Sequence, residues 1–395
     1  MKKKLNILMP TSCFFPGIGG AQIGFHNLAK KFKELGHNPI MLIPYNSYKF
    51  IIKNKWKFNY SLLPLPPKIF GIYKRNSFLG LLYFRFYFLF IKLFKKIDVC
   101  HINLAYPLGS MISSVLNKKF FISIMCAGED IQIVKNINYG VRINPHIDKI
   151  IKKNITKVDK VIALNKGILG TYKQLGIKKN KIEIIPYGVE TKYFKKKKIV
   201  NKKIINFLVV GRNHPKKNYK IIIESAKILI SKNIKNFRII FIGKDVKKLG
   251  KIVEISNLKS NVRLIEQIGA NPKKKDIHKF PSEELLEHYS KADIFLFPSI
   301  IELCPVSILE ATAAGLPIIT SNTPGCRDIV LKNQNAFLVN FKNQKEIVTC
   351  MKKLINNFNL RKNMSLQSFN YSKNYDISLV AKKYEKLFLN KINND

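Results

Sequence analysis

The stretch Pro298-Ser-Ile-Ile-Glu-Leu-Cys-Pro-Val-Ser-Ile-Leu-Glu-Ala-Thr-Ala-Ala-Gly-Leu-Pro317 decides how this chain is read. Residues 293–297 form an apolar run that fits a buried strand and delivers the backbone into a loop at Pro298 and Ser299. A helix-forming run begins near Ser307, and Gly315 with Pro317 stops it. Glu302 falls in the loop and Glu310 in what the pattern makes the first helical turn. A loop between the carboxyl end of a parallel strand and a helix N-terminus is where open α/β sheets hold ligands. The positive helix end favours an anion at the same place. The stretch therefore proposes a nucleotide-containing ligand held by backbone and acid. A second reading stays open, because Ser307-Ile-Leu-Glu310 has the spacing of a capping box, in which Glu310 only caps the helix.

Outward from that stretch, strands and helices alternate. Downstream, strands are expected over 318–321 and 337–340, and helices over 345–357 and 378–390. The last helix carries Val380, Tyr384, Leu387 and Phe388 on one face. Upstream, a strand over 204–210 runs into Gly211-Arg-Asn-His-Pro-Lys-Lys-Asn218, followed by a helix with Ile222, Ala226, Leu229 and Ile230 inward and a strand over 237–242. Residues 271–280 read as a lysine-rich surface insertion, and 195–203 as a basic linker. The first half opens with a strand over 5–9, the glycine loop Pro16-Gly-Ile-Gly-Gly20, a helix over 21–35 and a strand over 39–43, a βαβ unit. Further strands are expected over 98–102, 120–125, 161–164 and 182–185. This is an α/β chain with an N-terminal domain over 1–195, a C-terminal domain over 196–372, and a helix over 373–395 that packs back on the first domain.

The length, 395 residues, suits two domains, and an apolar share of 46% excludes disorder. The charge is unusual: 70 basic residues against 24 acidic give +46. Such an excess points to nucleic acid, an anionic membrane or acidic substrates. It also accompanies abundant isoleucine and asparagine, as A/T-rich codons would produce. Arginine, the bidentate reader of phosphate and guanine, is scarce, which turns the reading from nucleic acid toward a membrane. Residues 78–96 are the most hydrophobic stretch, but Arg85 and Lys92 argue against a span. A core helix and an aromatic, basic helix resting on an anionic surface both fit, with Lys53, Lys55, Lys57, Lys68 and Lys74 nearby. The six cysteines form no C-x-x-C pair and have no histidine at zinc spacing, so no metal is expected. Met1-Lys-Lys-Lys leads straight into a short strand, unlike a secretory signal, and a cytoplasmic location is expected.

On these residues the chain resembles the family 4 glycosyltransferases. Glu302 and Glu310 match the family's E-x7-E motif inside its P-S…E…E-A-x-A-x-G-x-P frame, and residues 211–218 match its G-R-x-x-x-K-K-N element. The resemblance implies a GT-B fold, two Rossmann-like domains with parallel sheets facing across a cleft. It also implies retaining, metal-independent transfer of a hexose from a UDP- or GDP-linked sugar, with no further cofactor. The acceptor would be a glycan or lipid-linked glycan in surface polysaccharide synthesis (lipopolysaccharide, O-antigen or capsule). Glu302, Arg212 and Lys217 then form the catalytic set, with Lys216 an alternative register for Lys217. Glu310 would take the ribose hydroxyls, and Gly19, Gly20, Leu303, Cys304 and Val306 would approach the donor. Many relatives carry H-G-x-D at the cleft edge, where this chain has Ala127-Gly-Glu-Asp130. Gly128, Glu129, Asp130 and His101 are the expected acceptor or sugar contacts. The expected partners are nucleotide sugar, acceptor and an anionic membrane surface, not nucleic acid, with the protein peripheral at the inner face of the cell membrane. Ala127 in the histidine's place keeps a catalytically inert sugar-nucleotide-binding subunit as an alternative, with a basic nucleic-acid-binding protein behind it.

Overall fold

The computed structural model describes residues 3–17, 19–115, 120–195, 200–266, 268 and 279–392. The lysine-rich segment expected over 271–280 falls outside these up to 278, as does the middle of the expected linker, 196–199. Two parallel sheets organise the rest. The first contains β1 (Asn6–Pro10), β2 (Asn38–Ile43), β3 (Ser61–Pro64), β4 (Val99–Asn103), β5 (Phe121–Met125), β6 (Lys160–Ala163) and β7 (Ile182–Ile184), in the order β3-β2-β1-β4-β5-β6-β7. The second contains β8 (Ile205–Val210), β9 (Phe237–Ile242), β10 (Val262–Ile265), β11 (Ile294–Phe297), β12 (Ile318–Ser321) and β13 (Ala336–Val339), in the order β10-β9-β8-β11-β12-β13. β4, β5 and β11 are buried at every position, as strands covered by helices on both faces must be.

Acids at strand entries fix the register of neighbouring strands. Asp98 accepts the Asn6 N–H at 2.7 Å, Asp159 that of Ile122 at 2.8 Å, and Asp293 that of Asn206 at 3.0 Å. Each satisfies a backbone donor that would otherwise be orphaned at the sheet's amino edge. The helices lay apolar stripes on the sheets: Phe25, Leu28 and Phe32 from Gly20–Glu34, and Ile222, Ala226 and Leu229 from Tyr219–Ser231. No disulfide joins the six cysteines.

The described residues divide into one unit within 3–188 together with 377–392, and another within 189–376. The crossing lies earlier than the lysine run suggested. Val189 already belongs to the second unit, its N–H donating to the Tyr375 carbonyl at 2.9 Å, and Phe194 packs edge-on against Tyr289. Helix Ile377–Ile392 returns to the first unit, where Tyr384 and Phe388 are buried against Phe32 and His101. There His37 accepts the Leu5 N–H on Nδ1 at 3.2 Å, so its Nε2 carries the hydrogen donated to Glu385 at 2.8 Å.

Candidate functional site

In the second sheet the chain runs outward from β8 to β10 and returns to β11 beside β8. The carboxyl ends of β8 and β11 thus flank the point where strand order reverses, the ligand crevice of open α/β sheets. Two loops meet there. The Ile300 N–H donates to the Lys216 carbonyl at 2.7 Å, and Ser299 Oγ stands 2.7 Å from the same oxygen. Asn218 Nδ2 ties the turn to the Pro298 carbonyl at 3.3 Å and to that of Phe341 at 2.8 Å. His214 caps the turn by accepting the Lys216 N–H.

This docking brings the adjacent Lys216 and Lys217 onto Glu302, a carboxylate far from them in sequence. Lys217 Nζ donates to Glu302 Oε1 at 2.6 Å, and Lys216 Nζ to Oε2 at 3.2 Å. Ser299 Oγ lies 3.0 Å from Oε1, and Lys217 Nζ also sits over the Phe297 ring, 4.4 Å from its centroid. Burial alone would raise the Glu302 carboxyl, but Lys216, Lys217 and Ser299 hold it down at about 2. Burial lowers Lys217, against the opposing pull of Glu302. The two lysines and one carboxylate leave one net positive charge, in a setting where a fixed charge acts strongly on an incoming anion. Lys216 and Lys217, the two alternative registers, both reach the same carboxylate. Gly325 makes the fit possible, since a Cβ there would lie 2.0 Å from the Glu302 carbonyl oxygen.

Glu310 has a different environment. Helix Val306–Ala313 starts one residue before Ser307, with Pro305 at its cap and no side-chain cap bond, so the S-x-x-E capping box does not form. Glu310 lies beyond the first turn, buried, with Oε2 accepting the Tyr289 hydroxyl proton at 2.7 Å. Burial raises its carboxyl to about 7, partly offset by that bond. Leu303, Cys304 and Val306 are buried, and Arg212 is exposed on the loop after β8. Sequence reasoning missed Tyr289 and Ser299. Ser299 stood in the quoted frame, whereas Tyr289 reads only as an apolar-face residue of helix Glu283–Lys291.

In the first unit the candidates fare unevenly. Gly19 caps helix Gly20–Glu34 in extended conformation, and Gly20 is its first, exposed residue. Gly128 has φ +126° and Glu129 is exposed. Asp130, expected as a sugar contact, is turned inward. It accepts the N–H groups of Ala105 at 2.7 Å, Gly128 at 2.9 Å and Ala127 at 3.0 Å, and so shapes the loops after β4 and β5. His101 is also corrected. It is fully buried, its Nδ1 2.9 Å from Ser123 Oγ, among the rings of Phe25, Tyr384 and Phe388. Burial lowers it to about 3, so it is a neutral core residue.

A family model described as "Glycosyltransferase Family 4" matches residues 18–193, and one described as "Glycosyl transferases group 1" matches residues 189–370. The chain belongs to the family 4 glycosyltransferases. An uncharacterized glycosyltransferase of Methanocaldococcus jannaschii is 27% identical to it over 97% of this chain and 99% of its own. The N,N'-diacetylbacillosaminyl-diphospho-undecaprenol alpha-1,3-N-acetylgalactosaminyltransferase of Campylobacter jejuni is 27% identical over 61% of this chain and 63% of its own. The UDP-Gal:alpha-D-GlcNAc-diphosphoundecaprenol alpha-1,3-galactosyltransferase of Escherichia coli is 30% identical over 48% and 54%. This glycosyltransferase thus spans less than two thirds of either of those two relatives. Among solved structures, a Rickettsia africae glycosyltransferase superposes with a TM-score of 0.76 over the whole of both chains at 16% identity. The fold is GT-B, with two Rossmann-like domains.

Proposed function

We propose that the protein transfers a hexose from a nucleoside-diphosphate sugar to a lipid-linked glycan, with retention of configuration and without a metal, in surface polysaccharide synthesis. The observation that carries this is the Lys216–Lys217–Glu302 cluster at the switch point of the second sheet. The donor's leaving group is a nucleoside diphosphate whose negative charge grows in the transition state. Fixed ammonium groups aimed at that charge stabilise it with little reorganisation. Glu302 holds both lysines in place and, as a permanent anion, faces the donor sugar. Glu310 receives the ribose hydroxyls, Arg212 adds a cation from the neighbouring loop, and Leu303, Cys304 and Val306 line the approach. Gly19 and Gly20 contribute backbone to the donor, and Gly128 with Glu129 faces the acceptor side. Attack comes from the face the diphosphate leaves, whose oxygen takes the acceptor's proton, so orientation replaces an enzyme nucleophile. The donor is UDP- or GDP-linked and no further cofactor takes part.

The lipid-linked acceptor is supported by two relatives named for diphosphoundecaprenol acceptors. It is also supported by the positive charge of the chain, which suits work at the inner, anionic face of a membrane. The test is incubation of the purified protein with a panel of UDP- and GDP-sugars and a lipid-diphosphate saccharide, with chelator present. Nucleoside diphosphate should be released, the product should keep the donor's anomeric configuration by NMR, and Lys217→Met should lower kcat by about a hundredfold. Donor binding without turnover would leave an inert binding subunit, and binding of no donor would end the transferase reading.

A further inference from the structure

Helix Ser77–Phe94 is apolar along its length, with Arg85 and Lys92 its only charged residues. It buries one stripe, Gly80, Phe84, Phe88 and Ile91, at helical spacing. The stripe is firmly seated. A Cβ at Gly80 would lie 2.5 Å from Tyr73 Cα, so helix Ile69–Arg75 packs directly on it. The Tyr87 hydroxyl donates to the Pro64 carbonyl, and Phe88 packs on Phe120. The opposite face is bare: Phe78 is 72% and Leu93 81% exposed, with Phe86, Phe90 and Phe94 exposed between and beside them. A face of this kind on one helix marks an interaction site.

Charge selects the partner. No Asp or Glu occurs between Glu34 and Asp98. Lys68, Lys74 and Arg75 are exposed before the helix, Arg85 within it, and Lys95 and Lys96 just beyond it. A second copy would bring an equally cationic rim against this one, whereas anionic headgroups neutralise it. A transmembrane span does not fit, because the buried stripe is packed on protein along the helix. We propose that this outward face docks on an anionic phospholipid bilayer, the helix lying in the membrane plane with its aromatic side chains at the headgroup–acyl boundary. The proposal deepens the membrane-side reading above and rests on it only for the benefit to a lipid-linked acceptor.

The test is flotation of the full-length protein with phosphatidylcholine vesicles, alone or carrying about a third phosphatidylglycerol. Wild type should float with the anionic vesicles, bind the neutral ones at least about tenfold less, and be released by alkaline carbonate. The exposed double substitution Phe86→Asn, Leu93→Asn should cut anionic binding about tenfold with unchanged thermal unfolding, and Lys95→Glu, Lys96→Glu should also weaken it. Equal flotation of wild type and the apolar variant would overturn the proposal, as would carbonate-resistant binding. So would wild-type self-association that the same substitutions abolish without any vesicle binding. Calorimetry with UDP- and GDP-sugars on the same samples keeps the two readings separable. Loss of donor binding with intact flotation condemns the transferase reading alone.

Discussion

Burial sets the two motif glutamates apart in charge. Glu302 is held at about 2 by its lysines and is ionised at every working pH, whereas burial pushes Glu310, bonded to the Tyr289 hydroxyl, up to about 7. If the ionised form of Glu310 receives the ribose hydroxyls, donor affinity should fall as pH drops through 7, which calorimetry from pH 5.5 to 8.5 would read. Stability runs the other way. The Glu310 pKa is raised above the ordinary 4.5, so the folded state favours its neutral form, and that stabilisation is lost as pH rises toward 7. Glu310→Gln should therefore exceed wild type in stability above pH 7, by up to about 3 kcal/mol, while binding donor poorly. Parallel stability profiles of the two proteins would sink this account. The acid pair itself was readable from spacing. The contrast between its members was not, because it depends on Lys216, Lys217 and Tyr289, which reach the acids only through tertiary contact. His101 misled for the same reason: its surroundings come from helix Ile377–Ile392, which the local pattern at β4 does not reveal.

At the scale of elements, the central strands were legible because burial on both faces forces continuous apolar runs. The two strands that escaped, β3 and β10, each lie at one edge of their sheet. Their sequences, Ser-Leu-Leu-Pro and Val-Arg-Leu-Ile, are short and only partly buried, which erases the signal that marks a central strand. Helix Val306–Ala313 starts one residue before the expected Ser307, which carries Glu310 past the first turn and removes the capping-box alternative. What the loops do depends on how closely they approach, and Gly325 is the point of least clearance. Gly325→Ala would press a methyl group against the Glu302 carbonyl, 2.0 Å away, and against the Leu303 Cα at 2.8 Å. The backbone on both sides must shift, so stability should drop by about 1–3 kcal/mol and donor affinity with it, since Glu302 moves relative to its lysines. Denaturant unfolding and donor calorimetry on the variant check this. Unchanged values in both would mean that the loop has more freedom than its packing implies.

At the scale of the whole molecule, the first unit is not closed until the last helix is made. The chain crosses at Val189 into the second unit, leaves it after Asp376, and only then supplies Tyr384 and Phe388 to a core built from Phe32, His101 and Phe121. Contacts between residues so distant in sequence are slow to form and leave the first unit's core incomplete until late. Amphipathic spacing in the sequence showed that the final helix has a buried face and pointed it at the first domain; the partners that receive it there, Phe32, His101 and Phe121, became visible only in the fold. Phe388 is fully buried against that core. Phe388→Ala should cost about 3–5 kcal/mol and lower the thermal midpoint by on the order of 10 °C. The loss should fall on the first unit, so hydrogen exchange should speed up in β1, β4 and β5 while β8 and β11 keep their protection. A uniform increase across both sheets would instead mean that the two units unfold as one, and that the final helix stabilises the entire chain.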